Sequence, residues 1–371
     1  MNLDSTLTQL RLLGCALFAA GTLTAAPTIS AVRDARKLAE AATDEAIRDE
    51  LRQDIATTLA RRAAPDEALA LAASLPPGRR AMVLLEIAAH LPAARRTEAA
   101  QLMLDAQTAK ALTHDWHKAR LARLLAIGQA RLDQFEAAEA LARAVPDTEE
   151  KAHALHGVVA ELCRAGLVAK ARELAGTIEE NRRYGTYRQK AAALALTARA
   201  LHARGNPEDA ATLLAQAELL LPKKPGWSDG IALVAVAESA HACGEPAKVN
   251  ALLTHAETLA HMIAGSWKVS ELARLATGWR TCGDARRART LLDDAEQFLN
   301  TLPPLDRAEE SLPLARAWAE AGEPARARAV LVAALDEARQ SESAEAWRKP
   351  RVQALLAWVE LFGDTPAAGK L

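Results

Sequence analysis

Glycines at positions 166, 205, 244, 283 and 322 are separated by 39 residues at every step, and that period constrains this chain more than any other feature. Their settings are related: Ala165-Gly166, Arg204-Gly205-Asn206-Pro207-Glu208-Asp209-Ala210, Cys243-Gly244-Glu245-Pro246, Cys282-Gly283-Asp284 and Ala321-Gly322-Glu323-Pro324. A fixed period of this size marks stacked helical hairpins, none of which can bury its apolar face alone. Glycine closes a helix in the left-handed conformation without a Cβ clash. The Asn, Asp or Glu that follows suits the free N–H groups of the next helix, and Pro207, Pro246 and Pro324 fall in its first turn.

After each turn, small and apolar residues recur at steps of four and three. The rows are Ala171, Ala175, Ile178; Ala210, Leu214, Ala217; Val249, Leu253, Ala256; Ala288, Leu292, Ala295; and Ala327, Leu331, Ala334, with Ala137, Leu141, Ala144 one hairpin earlier. Such spacing sets each trio on one helix face, where small side chains let two helices approach closely. Here the chain resembles the tetratricopeptide family. Gly205-Asn206, Ala210, Leu214, Ala217 and Pro222 follow that family's turn and second-helix pattern. Ala198, Ala237, Ala276 and Ala315 supply its small residue seven before the glycine, and Trp279 and Trp318 its aromatic four before. Val159, Leu162, Leu201 and Ala240 depart from it, and most units lack the terminal proline. Over roughly 130–360 the resemblance implies an all-α fold, a right-handed α-solenoid of about eight antiparallel helical hairpins with a C-terminal capping helix.

At 371 residues without a composition break, the chain reads as one array. Half of it is hydrophobic but only 4% aromatic, with 25% charged residues, as expected of interlocking Ala/Leu-rich helices. A net charge of -1 argues against general nucleic-acid binding. Four cysteines, Cys15, Cys163, Cys243 and Cys282, show no CxxC spacing. Equivalent helices of stacked hairpins stand about 8–10 Å apart, too far for a disulfide, so free packed thiols are expected.

Residues 1–26 admit two readings. The apolar run Leu12–Ala20, preceded by Arg11 and followed by Thr24-Ala25-Ala26, suits a signal peptide. Asp4 and Pro27 suit one less, and Ala31, Ala35 and Leu38 copy the second-helix row, so 7–25 could instead be the first helix of the array. Export to the periplasm follows from the first reading and a cytoplasmic location from the second. The run is too short for a membrane span. Irregular helical repeats occupy 27–145, with helices at 44–62, 79–91, 96–112, 115–130 and 134–144. Regular units fill 146–343, and 344–371 forms a capping helix and tail without a partner.

Catalytic signatures are missing: there is no GxSxG, no HExxH and no phosphate-cradling glycine loop, so no enzyme activity and no cofactor is expected. His153 with His156, and His114 with His117, give two ligand-type side chains per helix without a third, which is insufficient for a metal site. In the tetratricopeptide family the first helix of each pair lines the concave face. The matching positions are Arg199 and His202, Glu238 and His241, Thr277 and Arg280, and Arg316 and Ala319. Arg and His at one level can hold a carboxylate or acidic peptide through charge-assisted bonds. A second row of aromatics, Tyr187, Trp227, Trp267 and Trp347, stands beside cations near the starts of first helices, either as an exposed clamp or as plugs between hairpins. The expected function is a non-enzymatic scaffold or adaptor binding a protein or peptide on its concave face. The alternatives are a structural, self-assembling envelope component and a sensor or adaptor subunit of an enzyme or regulatory complex.

Overall fold

A computed structural model describes residues 30–91, 93–107, 115–222, 226–340 and 345–363. Those residues form eighteen α-helices and two short 3-10 turns, with no strand among them. In chain order the helices are α1 (Ser30–Glu40), α2 (Glu45–Arg61), α3 (Pro65–Ala72), α4 (Pro77–His90), α5 (Arg96–Gln107), α6 (Asp115–Arg131), α7 (Phe135–Ala144), α8 (Thr148–Arg164), α9 (Val168–Gly176), α10 (Tyr187–Ala203), α11 (Pro207–Leu220), α12 (Gly230–Ala242), α13 (Pro246–Met262), α14 (Lys268–Thr281), α15 (Ala285–Leu299), α16 (Pro304–Glu320), α17 (Pro324–Gln340) and α18 (Arg348–Phe362). The signal-peptide question concerns residues outside those described.

The period is realised as a repeated helix stop. Gly166, Gly205, Gly244, Gly283 and Gly322 all have φ between 77 and 92°. In each case the next residue donates its N–H to the carbonyl five positions back, as in Asn206 to Leu201 at 3.1 Å and Glu323 to Trp318 at 2.9 Å. Ala63 and Asp133, with φ of 57 and 62°, stand in the same turn without glycine. Ala64 donates to Leu59 and Gln134 to Gln129 in the same pattern. Asn206 and Asp284 then cap the following helices through their side chains, and Asp147 caps the first helix α8 in the same way.

Every seam row downstream of a turn glycine is buried. One row is shifted: Ala137 and Ala144 are exposed, while Ala138, Ala142 and Val145 are buried. The turn centred on Asp133 sets the register of α7, and its missing glycine hid that register in the sequence. The small residues Ala198, Ala237, Ala276 and Ala315 and the indoles of Trp279 and Trp318 are buried as expected, and Val159, which departs from the small-residue pattern, is buried too.

Each first helix packs against its second helix and against the next first helix. The expected unpartnered cap is corrected by the same contacts. Helix α18 packs along α1 as other hairpin partners do, and also against α2, α16 and α17. The series α2, α4, α6, α8, α10, α12, α14, α16, α18 therefore returns to α2, and its two ends meet. Ala31, Val32 and Ala35 of α1 share one buried cluster with Val352, Leu355 and Val359 of α18 and Leu51 and Ile55 of α2. The seam is also polar. Lys349 pairs with Glu50 at 2.6 Å, and Arg348 donates to the Leu38 carbonyl at 3.0 Å. The apolar face of α18 needs cover, and α1, whose own row copies a second helix, supplies it.

Second helices carry their own ladder. Residues four past the turn pair with the preceding second helix: Lys170 with Glu136 at 2.8 Å, Lys248 with Glu218 at 3.7 Å, Arg287 with Glu257 at 2.9 Å and Arg326 with Glu296 at 2.8 Å. At Asp209 the sign is inverted, and the partner is Arg172 at 3.7 Å. Glu67 holds the same place in α3 and pairs with Arg36 of α1 at 3.1 Å. Helix α1 thus acts as the second helix that precedes α3.

Candidate functional site

The predicted groove residues do fall on successive first helices. Arg199, His241, Arg280 and Arg316 are exposed, and His202, Glu238, Thr277 and Ala319 are half-buried. Their charges are largely answered by carboxylates on the next first helix. Arg280 lies 3.6 Å from Glu320, which also accepts from the Thr277 hydroxyl at 3.0 Å. Arg316 donates to Glu360 at 2.7 Å. Glu360 lies 3.5 Å from Arg61, and Arg61 pairs in turn with Glu86 at 2.8 Å. An alternating chain of charge thus runs across α16, α18, α2 and α4. Arg199 makes no ion pair among the described residues, although it lies near enough to Glu238 to oppose the protonation of that carboxyl.

Where α18 meets α2 and α16, this wall borders an open pocket of about 270 Å³ lined by Asp54, Thr57, Arg61, Arg316, Gln353 and Glu360 over Leu312 and Leu356. Burial pushes the Asp54 carboxyl up, and a hydrogen bond from Gln353 only partly offsets it. Glu238 is likewise raised by burial against the pull of Arg199 and Arg274. The pocket therefore offers hydrogen-bond donors and acceptors whose charges nearly cancel. Glu320, Glu360, Arg61, Glu86, Asp54 and Gln353 were not singled out by sequence. Their partners lie one or more hairpins away, or at the other end of the chain, and no local spacing signals that.

Three thiols, Cys163, Cys243 and Cys282, are free and half-buried, as expected from their spacing. Burial raises all three, and Cys282, beside Glu238, reaches about 11, so at neutral pH they are protonated thiols and not nucleophiles. His153 accepts from the Gln189 amide at 3.1 Å. Burial and the nearby His153 lower His156 to about 4. Among the described residues no three His, Cys, Asp or Glu side chains converge in a way that could hold a metal. His114 lies outside the described residues, as does the side chain of His117.

Of the two readings of the aromatic row, Tyr187 fits the plug and not the exposed clamp. Tyr187 is buried, and its hydroxyl donates to Asp229, which also accepts from Arg188 at 2.9 Å. Its ring, with Arg182 at 4.7 Å over it, fills the junction between α10 and the turn that opens α12, because a buried phenol needs an acceptor and Asp229 provides one. Trp347 is half-buried at the start of α18, and Trp267 is 39% exposed at the start of α14. The side chain of Trp227 lies outside the described residues.

No described helix is long and apolar enough to cross a membrane. No protein-family model matches the chain. No curated protein matches it either. Among solved structures, the chain is similar to the crystal structure of Ton1535 from Thermococcus onnurineus NA1, at 15% identity, over 80% of this chain and 96% of that one. The TM-score is 0.27, too low for that likeness to carry any argument about shape or activity.

Proposed function

We propose that the chain is a tetratricopeptide-like scaffold that binds a protein or peptide segment along the face formed by its first helices. The observation that carries this reading is the polar stripe on that face: Arg199, His241, Arg280 and Arg316 remain accessible on four successive first helices. Side chains at one level on consecutive helices meet an extended ligand at regular intervals, which suits segments that order on binding.

Closure of the series changes the groove. Nine first helices at about 9 Å between axes enclose a bore roughly 15 Å wide once side chains are allowed for. Such a bore admits one helix or one extended strand. Its charge pattern favours a ligand carrying both acids and bases, with an acidic side chain nearest Arg199, the least neutralised cation of the stripe.

Selection of displayed peptides on the full chain, followed by fluorescence anisotropy of the winners, tests this. Arg199→Glu with Arg280→Glu is expected to weaken acidic peptides at least tenfold with unchanged helical circular dichroism. Lys170→Glu on a second helix is expected to leave affinity alone. Peptides whose affinity ignores the first pair and follows the second would remove the first-helix face as the site.

A further inference from the structure

The two edges of the helix array differ. On one edge lie the tight turns with left-handed glycines, where Leu167 is the one large apolar side chain exposed beside a turn glycine among the described residues. On the other lie the linkers from each second helix to the next first helix. Seven of the nine large apolar side chains that are exposed among the described residues stand within one helical turn of that linker edge: Leu104 on α5 and, from α10 onward, Tyr184, Leu219, Ile231, Met262, Trp267 and Leu305. Leu219 is 81% exposed, Met262 76% and Ile231 61%, far more than a stray surface leucine requires.

These linkers are neighbours in space. Tyr187 and Arg188 at the start of α10 bond to Asp229 and Ser228 before α12. Helix α13 packs on that same short turn, and Lys268 at the start of α14 lies 4.9 Å over Phe298 near the end of α15. The apolar residues therefore follow one rim from α10 to α16.

We propose that this rim is the face on which a second copy of the chain docks, edge to edge, about a two-fold axis. The charge on the rim selects that occupant. Glu179 and Glu180 stand beside Arg182 and Arg183, all four exposed. A two-fold contact sets each patch against its own copy, so acids of one chain meet bases of the other. An anionic bilayer surface needs an excess of cations, and neither this patch nor a chain of net charge -1 supplies it. This proposal is independent of what the first-helix face binds.

Sedimentation equilibrium over a concentration series should read twice the mass of one chain. Leu219→Glu with Met262→Glu should return the mass to a single chain, while Leu167→Glu on the turn edge should leave it doubled. Charge reversal supplies a second arm on positions that are already charged and solvent-facing. Glu179→Arg with Glu180→Arg, or Arg182→Glu with Arg183→Glu, should each weaken association at least tenfold, and mixing the two variants should restore the two-chain species. A wild-type chain that stays single at the highest concentration overturns the proposal, as does pairing that survives both arms. So does a single chain that floats with phosphatidylglycerol vesicles only when Leu219 and Met262 are intact, because lipid then covers the rim.

Discussion

Trp279, Trp318 and Trp358 are buried, yet none of their indole N–H groups has a hydrogen-bond partner among the described residues. Arginines from the following helix lie over two of these rings, Arg287 over Trp279 at 4.2 Å and Arg326 over Trp318 at 3.8 Å. What the indoles supply is therefore ring area and a π face. Trp318→Phe keeps a π face and removes an unpaired donor but gives up part of the ring area, so it should cost about 1–2 kcal/mol. Trp318→Ala should cost about 3–5 kcal/mol through the cavity it leaves. Urea denaturation of the two variants checks the contrast. His156 belongs to the same scale. Its pKa falls to about 4 in the folded chain, so the folded state refuses a proton that the unfolded chain takes near 6.5. Its stabilising contribution is complete above that upper value and is lost as pH falls toward the lower one, by up to roughly 3 kcal/mol. His156→Gln should flatten the acid limb of a stability–pH curve; an unchanged limb would assign acid sensitivity elsewhere. At this scale the sequence placed Arg199, Arg280 and Arg316 on one face. It could not show that Glu320 and Glu360 would neutralise two of them, because charge pairing between hairpins leaves no local pattern.

The turn is the element that repeats, and it is stricter in backbone than in residue type. Five turns use glycine at positive φ, and two reach the same conformation with Ala63 and Asp133. Left-handed backbone costs a residue with a Cβ roughly 1–2 kcal/mol, so Ala63→Gly should raise stability by about 1 kcal/mol and Gly205→Ala should lower it by a similar amount. Opposite shifts in thermal midpoint would confirm that the two positions are equivalent. Asp133→Gly should gain less, since aspartate tolerates this conformation better than alanine. This explains what could be read in advance. From 146 onward, glycine marked each hairpin and the seam rows followed in register. Before that, the same turns were present without their marker, and the row of α7 slipped by one residue.

At the scale of the whole molecule the finding that no local signal carried is the meeting of the ends. The apolar faces of α1 and α18 both showed a helical repeat, but nothing in either segment names a partner more than three hundred residues away. Gly363, with φ of 66°, stands at the end of α18 where other units have their turn glycine, and Ser30 opens the helix that lies against α18. A short linker from 363 to 30, with new termini cut at the Gly244 turn, should therefore yield a permuted chain with native helicity and a thermal midpoint close to that of the original. Removing α1 should instead bare Val352, Leu355 and Val359, lower the midpoint and raise binding of a hydrophobic dye.

The pairing of α1 with α18 has a consequence for how the protein is made. Helix α1 is synthesised more than three hundred residues before the partner it packs on, so its greasy side stays orphaned until α18 has been made. The intervening hairpins can settle one after another as they emerge, yet closure of the series waits for α18. A nascent chain halted before residue 348 would keep that early segment open to chaperones and proteases for as long as the halt lasts.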